Sequence, residues 1–330
     1  MKTFRLSFKT ILTVLVLIFS QPKSFSQTKN WSFTLTPSTT VQTATLGEYL
    51  YSRHDKNLVV SDLQWNQTLW GIGLNAQYRF LAFSVDGGFT YYLPFACGKM
   101  FDSDYNSLFK TNFASFTNTA PFAFDARLNA RWNFSVAKFT VSPAIQTVVS
   151  YRRFNAINGS GYFGDASINS TGNDVPYNSP DAEFYRTYDI EYERLSVYTF
   201  AGVYASYSFK RLDLFASFFV SPFTYTQDCD YHHCAPGDDQ DYHSFCFADA
   251  FFTRFNFTVG MNLPLTERLS LTAKFNTLFG PVARGDHVTN FGHPSGYGFF
   301  KKDSEFYKSL QDKAVSVTEF NFEIGLNIIF

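Results

Sequence analysis

The segment TQDCDYHHC at 226–234 puts Asp228, Asp230 and His232 at every second position. A second segment, GKMFDSDY at 98–105, carries Asp102 and Asp104 with the same spacing. Residues two apart on an extended strand share a face, so each segment aims its titratable groups one way. Two carboxylates held close raise each other's affinity for protons, and a carboxylate beside an imidazole orients and charges it. Set opposite one another, such pairs can hold a water, remove its proton and stabilise the charge that forms as it attacks a carbonyl. Glu48, on the polar face of a third extended segment, joins the group. This chemistry needs no covalent nucleophile, so none of Cys97, Cys229, Cys234 and Cys246 has to be catalytic. The Asp, His and Cys residues at 228–234 lack a zinc-type spacing, and no metal site is expected. His54, His243, His287 and His293 fall on expected loops and read as solvated, and Arg284-Gly285-Asp286 reads as a chance tripeptide.

The elements that must position these groups are strands with one apolar and one polar face. In FAFDARLNARWNF (122–134), Phe124, Ala126, Leu128, Ala130, Trp132 and Phe134 alternate with Asp125, Arg127, Asn129, Arg131 and Asn133. The terminal TEFNFEIGLNIIF repeats the pattern. The same alternation turns Asp86, Thr90, Gly98, Asp102 and Asp104 inward, with Thr224, Thr226, Asp228, Asp230 and His232, and leaves Phe223, Tyr225 and Cys97 outward. Aromatic residues make up 20% of the chain, with 41 Phe and 20 Tyr, yet mean hydropathy is slightly negative. A wall that meets lipid outside and a polar lumen inside has this composition, because the alternation averages hydropathy towards zero. A net charge of −1 offers no global field for nucleic acid.

Lys2, Arg5 and Lys9 precede the apolar run ILTVLVLIF (11–19), with Ser24 and Ser26 at the small-residue positions. Residues 1–26 therefore read as a secretory signal peptide, since nine apolar residues are too few to cross ~30 Å of hydrocarbon as a helix. Residues 27–330 read as one domain, an all-β, ten-stranded antiparallel transmembrane β-barrel with long extracellular loops. The expected strands are 30–52, 58–78, 81–99, 121–134, 138–156, 185–209, 212–228, 245–263, 269–283 and 314–330. Tight turns fall near Arg79, Ser135, Lys210 and 264–268. Longer polar connections fall at 53–57, 100–120, 157–184, 229–244 and 284–313. An even strand number puts both ends on the periplasmic side and the cleft on the extracellular side.

GKMFDSDY, EYLYSRHDKNLVVSDLQW (48–65) and DCDYHHCAPG (228–237) resemble, in order and spacing, segments of the omptins, ten-stranded outer-membrane proteases of bacteria. The resemblance implies an endopeptidase that cleaves next to basic residues with water activated by Asp230 and His232, faced by Asp102 and Asp104. Glu48 and Asp228 match the acidic residues that receive the basic side chain, and an inward Glu–Asp pair is suited to bidentate bonds with a guanidinium. The implied partners are basic polypeptide substrates and outer-membrane lipopolysaccharide, on which activity depends in that family; no other cofactor is implied, and the chain reads as a monomer. Arg152 and Arg153 are the nearest basic candidates for lipopolysaccharide. Departures are Tyr105 where a tryptophan is usual, Cys229 within the dyad segment, His233 beside His232, and the acid-poor stretch 106–120. Export permits disulfides, and Cys229 with Cys234, or Cys234 with Cys246, would staple the His232 loop.

Two other functions fit the same scaffold. One is an adhesive or binding barrel without turnover. The other is a passive pore, which the bulky inward residues expected at Trp70, Tyr92 and Met100 disfavour in a narrow ten-stranded lumen.

Overall fold

The computed structural model describes residues 31–330 except 168, 187–188, 211, 234–241, 292–306 and 309–310. The expected signal peptide at 1–26 and Cys234 lie outside the described residues. The strands are β1 (Trp31–Tyr51), β2 (Val59–Phe80), β3 (Phe83–Tyr92), β4 (Phe95–Tyr105), β5 (Lys110–Trp132) and β6 (Phe134–Val136). They continue with β7 (Phe139–Phe163), β8 (Glu183–Arg186), β9 (Ile190–Phe209), β10 (Leu212–His232) and β11 (Tyr242–Ala250). The last are β12 (Phe255–Pro264), β13 (Leu269–Phe279), β14 (Ala283–Phe291), β15 (Tyr307–Lys308) and β16 (Lys313–Ile329).

All the sheet pairings are antiparallel, and they close on themselves at two levels. At the turn end the order runs β1-β2-β3-β5-β7-β9-β10-β12-β13-β16 and back to β1. At the loop end β4 replaces β3, β11 replaces β12, and β14 replaces β13. The three breaks between these tiers fall at 93–94, 251–254 and 280–282. Pro94 and Pro281 sit in two of them, where a residue without an N–H cannot continue a ladder. The turn end carries two-residue hairpins at 81–82 and 137–138, and β9 ends in a turn at Lys210. Leu81, Ala137 and Lys210 take positive φ there, the primed-turn geometry that matches strand twist.

The outward face of the lower tier is a belt of exposed apolar side chains. It includes Trp70, Ile72 and Leu74 on β2, Phe89 on β3, Leu128 on β5, Phe218 on β10, Phe275 on β13, and Phe320, Phe322 and Ile324 on β16. Trp70, expected inward, belongs to this belt. A contiguous apolar surface of this kind marks contact with something other than water.

Inside, the upper tier is packed. Trp65, fully buried, stacks on Tyr192 with ring centroids 4.6 Å apart and on Phe154 at 5.9 Å. Leu63, Met100, Phe116 and Ile190 close around them. Below lies a polar layer in which Arg152 pairs with Asp125 at 2.9 Å and donates to Gln42 at 2.9 Å, while Tyr92 donates to Asp125 at 2.6 Å. Lower still, a polar cavity of about 630 Å³ lined by Arg79, Asp86, Arg131 and Asp213 occupies the turn end. The packed layer lies between this cavity and the loop end.

The strands outrun the expected bounds at the loop end. Residues 110–120, expected as loop, continue β5, so the connection after β4 shrinks to the Asx-type turn 106–109, where Asn106 Oδ1 accepts from Leu108 and Phe109. β7 reaches Phe163, β10 reaches His232, and β14 occupies 283–291. Above the belt both faces of a strand can be polar, so the hydrophobic period fades while backbone pairing continues. Cys97, expected to face lipid, is buried with its Sγ 3.6 Å from the Asn118 carbonyl, because a register shift between Ala96 and Gly98 turns it inward. At Gly98 the backbone passes so close to the Asn66 carbonyl that a Cβ would collide with it.

Truncating the central ring of the packed layer tests this account. Trp65→Ala should lower stability by about 3–5 kcal/mol in a reversible denaturant titration of detergent-solubilised protein, the usual cost of removing a buried large aromatic side chain. A loss below about 1 kcal/mol would mean that the layer is not a packed core.

Candidate functional site

β10 carries its polar face past the belt, whose upper members include Trp70, Phe223 and Phe320, and delivers Asp228, Asp230 and His232 into the loop-end interior. Its backbone is held by β9 on one side and β11 on the other, which fixes the direction of all three side chains. Asp230 Oδ2 lies 2.6 Å from His232 Nε2, and both residues are buried. The second oxygen of Asp230 accepts a 2.6 Å bond from Lys313 Nζ. Lys313, 1% exposed, also touches the Glu48 carboxylate, donates to Ser244 Oγ at 2.8 Å and lies 3.8 Å from Asp228. Asp228 in turn accepts from Arg194 and from the Tyr192 hydroxyl, each at 3.2 Å. Arg194 is anchored by the carbonyls of Gly47 and Ser316.

Asp102 and Asp104 stand on β4 with Asn112 of β5 donating to Asp104 at 3.2 Å. Burial first, then the Asp104 charge and Asp230, hold the Asp102 carboxyl well above the usual carboxylate range. Burial also raises Asp104, against hydrogen bonds from Asn112 and Ser61 and the His232 charge, which lower it. Those influences from Asp230 and His232 put the two pairs within electrostatic reach across one cleft. Burial alone would raise Asp230 too, but Lys313 and His232 outweigh it and hold Asp230 well below the usual range. One side of the cleft thus lowers the proton affinity of its acid and the other raises it. Environments that push neighbouring acids apart in this way suit acid–base work.

The six expected site residues all reach this interior, yet the group is larger than expected. Lys313, Arg194, Ser244 and His287 were not anticipated. Lys313 falls in the expected loop 284–313, although extending the period of the last strand back from Glu319 through Val317 and Val315 puts it on the inward face. His287, expected solvated, is buried on β14 with Nε2 3.1 Å from Ser244 Oγ; burial and then the Lys313 charge push its pKa down to about 4.

The departures from the omptin pattern prove mild in place. Cys229 alternates away from Asp228 and Asp230, so it leaves the dyad uninterrupted. His233 turns to Glu191 at 3.4 Å. Tyr105 donates to Asp62 at 2.8 Å. Among the described residues Cys97, Cys229 and Cys246 are free thiols. Arg152 corrects an expectation: it is buried inward on Asp125, sharing the face of Ser150 and Phe154, and offers nothing to an outer lipid. Arg153 is partly exposed and paired with Glu191 at 3.1 Å.

Together these features define an all-β, antiparallel wall with an apolar belt and an acid–imidazole cleft at its loop end. Among solved structures, the outer membrane protease OmpT from Escherichia coli superposes with a TM-score of 0.75 at 15% identity, over 93% of this chain and 99% of that one. Neisserial surface protein A gives 0.24, and the translocator domain of the autotransporter NalP from Neisseria meningitidis gives 0.33, at 7% identity each. These cover 88% of this chain and 95% of that one, and 89% and 88%, respectively. The fold is therefore omptin-like. No protein-family model matches the sequence, and no curated protein matches it.

Because Asp102 has a folded pKa above the value of about 3.9 expected for an unfolded aspartate, its ionisation opposes folding. Its effect on stability is absent below about pH 4 and grows as pH rises through the folded value. Asp102→Asn should therefore be more stable than the unsubstituted protein at pH 7, with the gap closing by about pH 3. Denaturant titrations at the two pH values measure this, and a gap unchanged between them would contradict it.

Proposed function

We propose that this chain is a ten-stranded transmembrane β-barrel of the bacterial outer membrane whose extracellular cleft hydrolyses peptide bonds. The observation that carries the reading is the 2.6 Å Asp230–His232 contact facing Asp102 and Asp104 on a fold shared with OmpT. The apolar belt supports the membrane, because a closed ring satisfies every backbone polar group without water. In the proposed reaction a water sits between the two pairs and His232 takes its proton as it attacks the carbonyl. Asp230 orients the imidazole and stabilises its charged form. Asp102, whose proton affinity is raised by burial and by Asp104, is the group suited to donating towards the developing oxyanion, and Asp104 fixes the water.

A preference for basic side chains needs a carboxylate free to receive them. Glu48 and Asp228 already hold Lys313 and Arg194, so the endopeptidase reading stands without that preference. The same observation favours the second reading, a binding or adhesive barrel without turnover. Lipopolysaccharide remains the proposed lipid partner, with Arg153 the outward candidate of the two arginines.

The test is cleavage of a quenched fluorogenic peptide library by refolded protein, with and without lipopolysaccharide. His232→Ala and Asp102→Asn should each lower the rate by about 10²–10⁴-fold, the range for loss of a positioned acid or base. A folded barrel that leaves the library intact would transfer the assignment to the binding reading.

A further inference from the structure

The acidic pocket beside the dyad is built as though to receive a cation, and the chain supplies its own. Lys313 reaches Glu48, Asp230 and Ser244 directly and lies 3.8 Å from Asp228. It is 1% exposed, and its neighbour Arg194 is 3% exposed. Three carboxylates line this pocket, Glu48, Asp228 and Asp230, the last shared between Lys313 and His232. Two buried cations, Lys313 and Arg194, already stand among them. A substrate arginine or lysine entering here would meet carboxylates that already hold a cation, and it would meet an ammonium at close range. Expelling Lys313 to make room would leave its partners buried without their counter-ion, a costly arrangement in a low-dielectric interior.

Backbone pairing keeps Lys313 in place. β16 is held by β1 over Leu50↔Lys313 to Leu46↔Val317, and by β14 over Gly285↔Lys313 to Ala283↔Val315. Lys313 is therefore the start of a doubly paired strand, on the same inward face as Val315, Val317 and Glu319. Its ammonium has no need to search for the pocket.

We propose that Lys313 is the specificity-determining residue of this cleft, an internal cation that excludes basic side chains and selects peptides with an uncharged residue before the scissile bond. The inference rests on the hydrolytic reading for its cleavage arm but not for its binding arm.

The discriminating probes are two peptides identical except for arginine or citrulline before the bond, which match in shape and differ in charge. Cleavage is measured as kcat/KM in refolded protein. Binding is measured by calorimetry to the His232→Ala variant, which keeps the pocket. The unsubstituted protein should show an arginine-to-citrulline ratio of one or below in kcat/KM, and His232→Ala should show the same in affinity. Lys313→Ala, which empties the pocket and frees its carboxylates, should raise the ratio at least tenfold. Lys313→Met, which removes the charge but keeps most of the volume, should raise it less. A Lys313→Ala chain that fails to fold leaves the ratios of the unsubstituted and His232→Ala proteins to decide. A ratio of ten or more with Lys313 present would overturn the inference, while leaving the hydrolytic reading intact. Absence of cleavage of both peptides would count against the hydrolytic reading alone, and the affinity ratio would still decide the role of Lys313.

Discussion

The closing of the hydrogen-bonded ring is the constraint on which the rest of this molecule depends. Once β10 pairs with β12, and β14 with β16, the principal strands have a partner on each side. The direction of their side chains is then set by parity alone. An outward residue joins a belt that avoids water, and an inward one must find a partner in a narrow lumen. The buried polar layer of Arg152, Asp125, Gln42 and Tyr92 and the packed layer of Trp65, Phe154 and Tyr192 are two answers to that demand. The cleft is a third, and there the groups brought together are mostly acids.

Acids concentrated in a lumen repel one another, and two devices manage this. Lys313 bridges carboxylates that come from β1 and β10, tying sequence-distant strands through one ammonium. On the other wall, burial and the Asp104 charge hold the Asp102 carboxyl well above the usual carboxylate range. The cleft is thus polarised from Asp230, held below the usual range beside an imidazole, to Asp102, held above it. That asymmetry is chemically useful and follows from which wall carries the cation.

Legibility of the sequence followed the belt. Where a strand crosses it, the period of two is loud, and the turns near Arg79, Ser135, Lys210 and 264–268 fell within a few residues of those found. Above the belt the signal fades, so 110–120 and 284–291 looked like loops although their backbones stay paired. The same blindness hid His287, on β14, and Lys313, at the start of β16. Register shifts misled in a second way: the irregularity at Ala96/Gly98 turned Cys97 from an expected lipid-facing position to the interior.

By itself, then, the sequence determined an all-β chain with one apolar face per strand. It also determined the in-register placing of Asp102 with Asp104 and of Asp228, Asp230 and His232, because these depend only on alternation along a single strand. Only the tertiary structure decided who meets whom across the lumen. That Asp230 shares its oxygens between His232 and Lys313, that Arg194 reaches Asp228, and that the acidic pocket is already filled are consequences of ring closure between strands far apart in the chain. No local pattern carries that information, since the register between β1, β10 and β16 is set by the pairing of the whole ring.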